Sequence, residues 1–166
     1  MENFLMAIDR LNKRFGEISA YLIYFGMIII SYEVVMRYFF RAPTLWGTGV
    51  AQRIFVLYFF LSGGYVLLNG KHINMDVVYA KLNVRTRAIL DLMTGVLTIG
   101  FAGCVTWYGC IFAWQSLRIL ERDNTAWQGP LYPFHLVVPI AGLLLLLQAA
   151  AKFIRDFSVA IDGGER

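Results

Sequence analysis

The sequence predicts an all-α integral membrane protein with four transmembrane helices and a single membrane domain over residues 1–166. A helix that crosses a bilayer core of about 30 Å needs about 20 mostly apolar residues. Four apolar stretches near or above that length occupy most of the chain, at 18–36, 46–68, 88–114 and 131–153. Hydrophobic residues make up 58% of the chain and charged residues 16%, against about 25% charged residues in ordinary soluble domains.

Lysine and arginine residues are distributed unevenly between the two ends of the predicted spans. Ten lie in the N-terminal segment, the second connection and the C-terminal segment, whereas four lie in the first and third connections. The positive-inside bias therefore predicts that both termini are cytoplasmic. The formal net charge of +4 does not indicate a nucleic-acid partner, because the basic residues flank the spans instead of forming an aromatic-laced patch.

The segment before the first span, residues 3–15, has the pattern of an amphipathic helix. Its apolar residues recur at helical spacing, with charged and polar residues between them: Phe4, Ile8, Leu11 and Phe15. We expect this helix to lie on the inner leaflet, with its basic face toward anionic lipid headgroups. The alternative is a solvated leader that only fixes the topology.

Charged residues within the first two spans indicate a structural ion pair. Glu33 and Arg37 are four residues apart with the acid first, the favoured order for a helical pair. Arg53 lies about two turns below the outer end of the second span, at a similar depth to Glu33. We predict that Glu33 pairs with Arg53, with Arg37 nearer the headgroups. Alternatively, Arg53 reaches the lipid phosphates by itself.

The third span carries a small residue at every fourth position: Thr94, Thr98, Ala102, Thr106 and Cys110. Small side chains allow membrane helices to approach closely, so this face is predicted to pack against another helix of this chain or of a partner. In the fourth span, Pro130 suits the helix entry and Pro139 is expected to bend the helix. Trp46 falls where an outer aromatic belt is expected.

The two histidines do not indicate a haem site. His72 follows the second span on the cytoplasmic side and His135 opens the fourth span on the outer side. They are therefore separated by nearly the full bilayer core and cannot share an iron. No metal cluster or nucleophile–base arrangement is evident, so no cofactor is expected and the pattern is that of an accessory membrane protein, not an enzyme.

Two sequence motifs carry a resemblance to a known family. The first is Glu33-Val34-Val35-Met36-Arg37-Tyr38-Phe39-Phe40-Arg41-Ala42-Pro43-Thr44-Leu45-Trp46, and the second runs from Gly63 and Gly64 to Gly70-Lys71-His72-Ile73-Asn74-Met75-Asp76. The chain resembles the small, four-span Q-type membrane subunit of tripartite ATP-independent periplasmic (TRAP) transporters. The resemblance extends from the first span to about Gln148 and includes the spaced prolines of the last span.

The resemblance implies a role in solute uptake across the bacterial inner membrane. Such systems import organic acids with a sodium or proton gradient, using a periplasmic binding protein and a large elevator-type membrane subunit. The small subunit is expected to brace the scaffold of the large subunit, to help dock the binding protein, and to hold neither substrate nor ions. Membrane lipids are its remaining expected partners.

The resemblance also assigns roles to individual residues. Glu33, Arg37 and Arg53 are expected to fix the first two helices near the periplasmic surface. His72 and Asp76, at helical i,i+4 spacing, would pair or cap the exit from the second span, or simply form a polar interfacial turn. Three outer-loop residues are candidates for contact with the binding protein: Arg41, Arg122 and Asp123.

One departure from the family pattern follows Trp46. Members commonly carry an acidic residue or two there, whereas this chain continues Gly47-Thr48-Gly49-Val50. The absent acid makes Glu33 the expected partner of Arg53. The rival function is a membrane anchor for a redox complex, which would bind haem or quinone and would need paired histidines at matching depth.

Overall fold

In the computed structural model, which describes residues 2–69 and 84–161, the chain is helical almost throughout. The helices are α1 (Glu2–Tyr38), α2 (Gly47–Leu68), α3 (Val84–Arg118), α4 (Tyr132–His135) and α5 (Val137–Ile161). Four long helical segments are apolar enough to cross a membrane. Within the described ranges the one strand-like pairing is an isolated bridge between Arg122 and Pro130. The predicted all-α, four-span fold is confirmed.

The four long helices form a layer rather than a closed bundle. Helix α1 packs along α2, α2 packs against α5, and α5 packs along α3, while α1 contacts α5 through its N-terminal turns. The order across the layer is therefore α1, α2, α5, α3. Helices α1 and α3 form its two edges, and both expose long rows of apolar side chains.

Helix α1 is continuous through residues 3–15, the segment for which we predicted a separate amphipathic helix. Its 37 residues correspond to about 55 Å, well beyond a bilayer core of about 30 Å. Five of its buried positions are spaced seven residues apart: Leu5, Asn12, Ser19, Gly26 and Glu33. Inner-leaflet placement of the N-terminal turns stays a prediction.

Helices α3 and α5 pack through small residues at heptad spacing. Ala102, Gly109 and Ser116, each seven residues from the next, are buried on α3, and a Cβ atom added at Gly142 would come within 2.8 Å of the Thr106 hydroxyl. Of the predicted every-fourth stripe, Ala102 and Thr106 lie at this seam, whereas Thr94 and Cys110 are exposed and Thr98 is half-buried. The reason is geometric, because steps of four residues rotate around a helix by about 40° each.

The fourth span is interrupted near its start. Helix α4 ends at His135 and α5 begins at Val137, so the interruption at Leu136 lies three residues before Pro139. A helical residue at 139 would normally donate its N–H to the carbonyl of residue 135, and proline has no N–H to donate. Pro130 precedes α4 and pairs with Arg122 in the bridge, so it belongs to the connection rather than to the helix.

A buried polar cluster joins α1 to α5 at the end of the layer that holds the N-terminus. Asn12 and Gln148 are each 1% exposed, and the Asn12 Nδ2 donates to the Gln148 Oε1 at 2.8 Å. Gln148 in turn donates to the Asp9 carboxylate at 3.0 Å, which also accepts from Arg155 at 2.6 Å. Buried polar groups are costly unless bonded, so this chain of contacts fixes the register between the two helices.

Gly64 of α2 contacts this cluster and provides a test of the packing. A Cβ atom at position 64 would overlap the Asn12 Oδ1, and that amide is held by bonds to Ile8 and Gln148. We expect Gly64→Ala to lower the free energy of unfolding in detergent by about 1–2 kcal/mol through overpacking. Gly63→Ala is the matched control, since nothing lies within 4 Å of its added Cβ atom. Equal thermal stability of both variants would contradict the close approach of Asn12.

Candidate functional site

Glu33 anchors the connection between α1 and α2. Its carboxylate accepts from Arg37 at 2.8 Å, from the Thr44 backbone N–H at 3.2 Å, and from the Thr44 hydroxyl. The same hydroxyl oxygen accepts from the backbone N–H of Gly47 at 3.1 Å, at the first residue of α2. The predicted Glu33–Arg37 contact is present. The carboxylate additionally holds the loop that starts the second span.

Arg53 anchors the connection between α3 and α4. The residue is 6% exposed, and its Nη2 lies 3.1 Å from the Asp123 Oδ2 and 3.4 Å from the carbonyl oxygen of Gly129. The guanidinium carbon lies 4.5 Å from the centroid of the Trp127 ring and 5.6 Å from that of Phe134. A carboxylate, a carbonyl and two aromatic faces thus compensate the desolvation of the guanidinium.

The prediction that Glu33 pairs with Arg53 is wrong in this structure. Glu33 is bound to Arg37 and Thr44, whereas Arg53 is bound to Asp123 of a connection seventy residues away in sequence. The alternative, in which Arg53 reaches the headgroups alone, is also wrong because the guanidinium is buried and paired. Each of the two charged side chains binds residues of a connection, so neither forms an ion pair between α1 and α2.

The connection between α3 and α4 folds around Asp123. Its Oδ1 accepts from the backbone N–H of Thr125 at 3.2 Å, and its own N–H donates to the carbonyl of Gly129 at 2.9 Å. Leu120 and Gln128 adopt positive φ angles of 46° and 48°, which are uncommon for residues with a Cβ atom. These turns bring Asp123 and Trp127 to the guanidinium of Arg53.

His135 closes the same region from the other side. Its Nδ1 lies 2.8 Å from the Ser116 hydroxyl and 3.3 Å from the Glu121 carboxylate, and its ring lies 4.5 Å from that of Phe112. A nucleophile–base–acid triad needs the hydroxyl and the carboxylate on different ring nitrogens, whereas here both approach Nδ1. The arrangement joins α4 to the end of α3 and does not resemble a catalytic site.

The remaining candidate residues occupy separate positions. Trp46 precedes α2 and stacks on Tyr32 with ring centroids 6.1 Å apart. Arg41 and Arg122 are exposed in the two connections, and Arg41 has a positive φ of 52°. Asp123 is partly exposed, although its carboxylate is engaged by Arg53. His72 and Asp76 lie outside the described residues.

Sequence reasoning missed Thr44, Gly129 and the partners of Asn12. Thr44 lies three residues before Gly47, the spacing of a helix-capping hydroxyl, and this signal was present in the sequence. The contact between Asn12 and Gln148 joins the two ends of the chain, whereas the sequence pattern placed Asn12 among the polar residues of the N-terminal amphipathic helix. The contact of the Trp127 ring with Arg53 was not predicted either.

Comparison with known proteins gives one family. A family model described as "Tripartite ATP-independent periplasmic transporters, DctQ component" matches residues 26–159, which is most of the chain and includes both anchoring charges. No curated protein matches the chain.

The Arg53–Asp123 pair generates a direct prediction. Asp123→Asn removes the charge that balances a buried guanidinium, and we expect unfolding in detergent to become easier by roughly 1–3 kcal/mol, less than for a fully buried pair because Asp123 is partly exposed. Glu17→Gln is the control, since its ion pair with Lys13 is solvent-exposed at 4.0 Å and is worth at most about 1 kcal/mol.

A double-mutant cycle separates the interaction energy between Arg53 and Asp123 from other effects of the substitutions. Adding Arg53→Met to Asp123→Asn should cost less than the sum of the two single changes, because the uncompensated charge is removed. Strict additivity in the measured unfolding free energies would show that the two side chains do not interact.

Proposed function

The chain belongs to the DctQ family, the small membrane component of TRAP transporters, and on that premise we propose that it braces the large elevator-type membrane subunit and helps to dock the periplasmic binding protein. As a transporter component with four apolar helices it is a multi-pass inner-membrane protein and not an enzyme. The family match therefore decides against the redox-anchor alternative. We further propose that the complete system imports an organic acid with a sodium gradient.

The bracing role is supported by the positions and the hydrogen-bond partners of the polar groups in this chain. The hydroxyls of Ser19, Ser62, Thr98 and Thr106 donate to carbonyls of their own helices. The charged clusters described above lie at the two ends of the layer. The described residues therefore offer no polar face through the middle of the layer, along which a solute or an ion would cross. Transport is accordingly a task for the large subunit.

The layer architecture supports bracing, because it leaves both flat faces and two edges for lipid or protein. Helix α3 is the least buried of the four spans in this chain. Cys110, the last residue of its small-residue stripe, is exposed on that helix. We propose that the face of α3 around Cys110 receives a helix of the large subunit by the close approach that small residues permit.

The orientation and the docking role follow from the charges of the connections. We propose that both termini are cytoplasmic, so that the loops 39–46 and 119–131 face the periplasm. Glu33 and Asp123 are turned toward Arg37, Thr44 and Arg53, whereas Arg41 and Arg122 are exposed. The loop surface is therefore basic and suits an acidic patch on the binding protein.

Assembly with the large subunit tests the bracing role, and α3 offers a matched pair of residues. Cys104 and Cys110 are both exposed but lie about 120° apart around the helix, and only Cys110 is in the stripe. We expect Cys110→Trp to reduce recovery of the large subunit in a mild-detergent pull-down by roughly tenfold, as overpacking of a close helix contact should. Cys104→Trp should leave recovery unchanged, and unchanged recovery for both variants would place the interface elsewhere.

Charge reversal tests the docking role. We expect Arg41→Glu and Arg122→Glu each to raise the binding-protein concentration that gives half-maximal uptake in proteoliposomes by about two- to fivefold, as exposed charges do. The effect should diminish at high salt because exposed charges are screened. Lys13→Glu makes the same charge change at the opposite end of the layer and should not alter this concentration. An equal effect of all three reversals would contradict docking at the loop end.

A further inference from the structure

A cavity of about 220 Å³ lies between α2 and the start of the fourth span, beside the Arg53 anchor. We call it the Arg53 cavity. The residues that line it include Gln52, Arg53, Val56, Asp123, Phe134 and Val138. Pockets that enclose a drug-sized ligand usually measure about 300–1,000 Å³. The Arg53 cavity is therefore suited to a segment of a larger molecule.

Arg53 lines this cavity and has one hydrogen-bond donor without a partner. Its Nη2 is occupied by Asp123 and Gly129, but its Nη1 is buried and has no hydrogen-bond partner. A guanidinium has donors and no acceptor, and an unsatisfied buried donor is costly. The group that the Arg53 Nη1 can bind is therefore an acceptor oxygen.

The lining changes from polar to apolar with distance from the loop end. Along α2, Gln52 and Arg53 come first and Val56 lies one turn further in, while Val138 of α5 lies beyond α4 on the facing wall. A membrane lipid has the same order, with polar headgroup and ester oxygens outside and acyl chains inside.

The local charge balance indicates that the acceptor is neutral. The positive charge of Arg53 is already matched by Asp123 at 3.1 Å. A second anion bound at Nη1 would lie close to the Asp123 carboxylate and would be repelled by it. An ester carbonyl accepts a hydrogen bond without adding charge.

A second cavity adjoins the first on the other side of Gln52. It measures about 300 Å³, lies between α1 and α2, and has Glu33 and Arg37 toward the loop end and Ile30 and Phe55 further in. Gln52 lines both cavities, so they are neighbours on one face of the layer. Two adjacent cavities with the same polar-to-apolar order suit the two chains of one diacyl lipid.

We propose that this face binds one diacyl glycerolipid, whose ester carbonyl accepts a hydrogen bond from the Arg53 Nη1 and whose acyl chain fills the inner part of the Arg53 cavity. The site does not discriminate between charged and neutral headgroups, because the charge of Arg53 is already balanced by Asp123. The proposal does not depend on the bracing role, since the lipid binds to this chain itself.

Lipid chemistry provides the first test on the wild-type protein. The full chain is purified in mild detergent, stripped of lipid, and supplied with diacyl phosphatidylglycerol, diacyl phosphatidylcholine or the diether analogue of phosphatidylcholine. Native mass spectrometry then counts the bound lipid. We expect one tightly bound lipid with either diacyl headgroup and at least about tenfold weaker binding of the diether, which lacks the carbonyl that accepts from a charged donor.

A cavity-filling variant provides the second test. Val56→Phe enlarges a side chain that lines the Arg53 cavity at an exposed position of α2, and it should abolish the tight lipid. Val96→Phe makes the same change at an exposed position of α3 and should retain it.

Other outcomes would overturn the assignment. Equal binding of diester and diether lipids, or no retained lipid at all, would contradict the ester contact with Arg53. Equal retention by Val56→Phe and wild type would show that the lipid does not occupy the Arg53 cavity. If Val56→Phe instead abolished recovery of the large subunit while diester and diether lipids bound the wild type equally, the occupant would be a side chain of that subunit.

Discussion

A guanidinium buried two turns inside a membrane helix determines the arrangement of the loop end. Water is not available at that depth to solvate the charge, so its stabilisation has to come from the protein. Arg53 obtains it from Asp123, the Gly129 carbonyl and the Trp127 ring. All three belong to one connection, and the need to pair a single charge therefore fixes the conformation of that connection and the position of α4.

Glu33 acts in the same way on the other connection, and together the two anchors explain how an open layer keeps its shape. The contact of Glu33 with Thr44 sets the start of α2. At the opposite end, Asn12, Gln148 and Asp9 join α1 to α5. Between the ends the helices pack through small residues, which give close contact without polar bonds. Polar contacts thus set the register of the layer, and the apolar packing fills it.

The extent to which the sequence predicts this structure depends on how local each feature is. Hydropathy and length predict the spans because every turn of a membrane-spanning helix has to be compatible with the apolar bilayer core. The Glu33–Arg37 contact is predictable since both residues lie on one helix. The partner of Arg53 is not, because Asp123 reaches it only through turns with positive φ at Leu120 and Gln128. The every-fourth stripe misjudged the α3 seam, since packing between long helices follows seven-residue spacing.

The contacts of Glu33 and Arg53 explain why this chain has no acidic residue directly after Trp46. A Cβ atom at Gly47 would lie 2.7 Å from the Glu33 carboxylate, and one at Gly49 would lie 3.4 Å from the Trp127 ring. An acidic residue at 47 would thus bring a like charge against Glu33 where the protein has only Thr44 and Arg37 to balance it. In this chain Glu33 and Asp123 supply the negative charge from other elements, while Gly47 makes room for Glu33 and Gly49 for the Trp127 ring. The acids therefore face inward and the exposed charges of the two connections, Arg41 and Arg122, are basic.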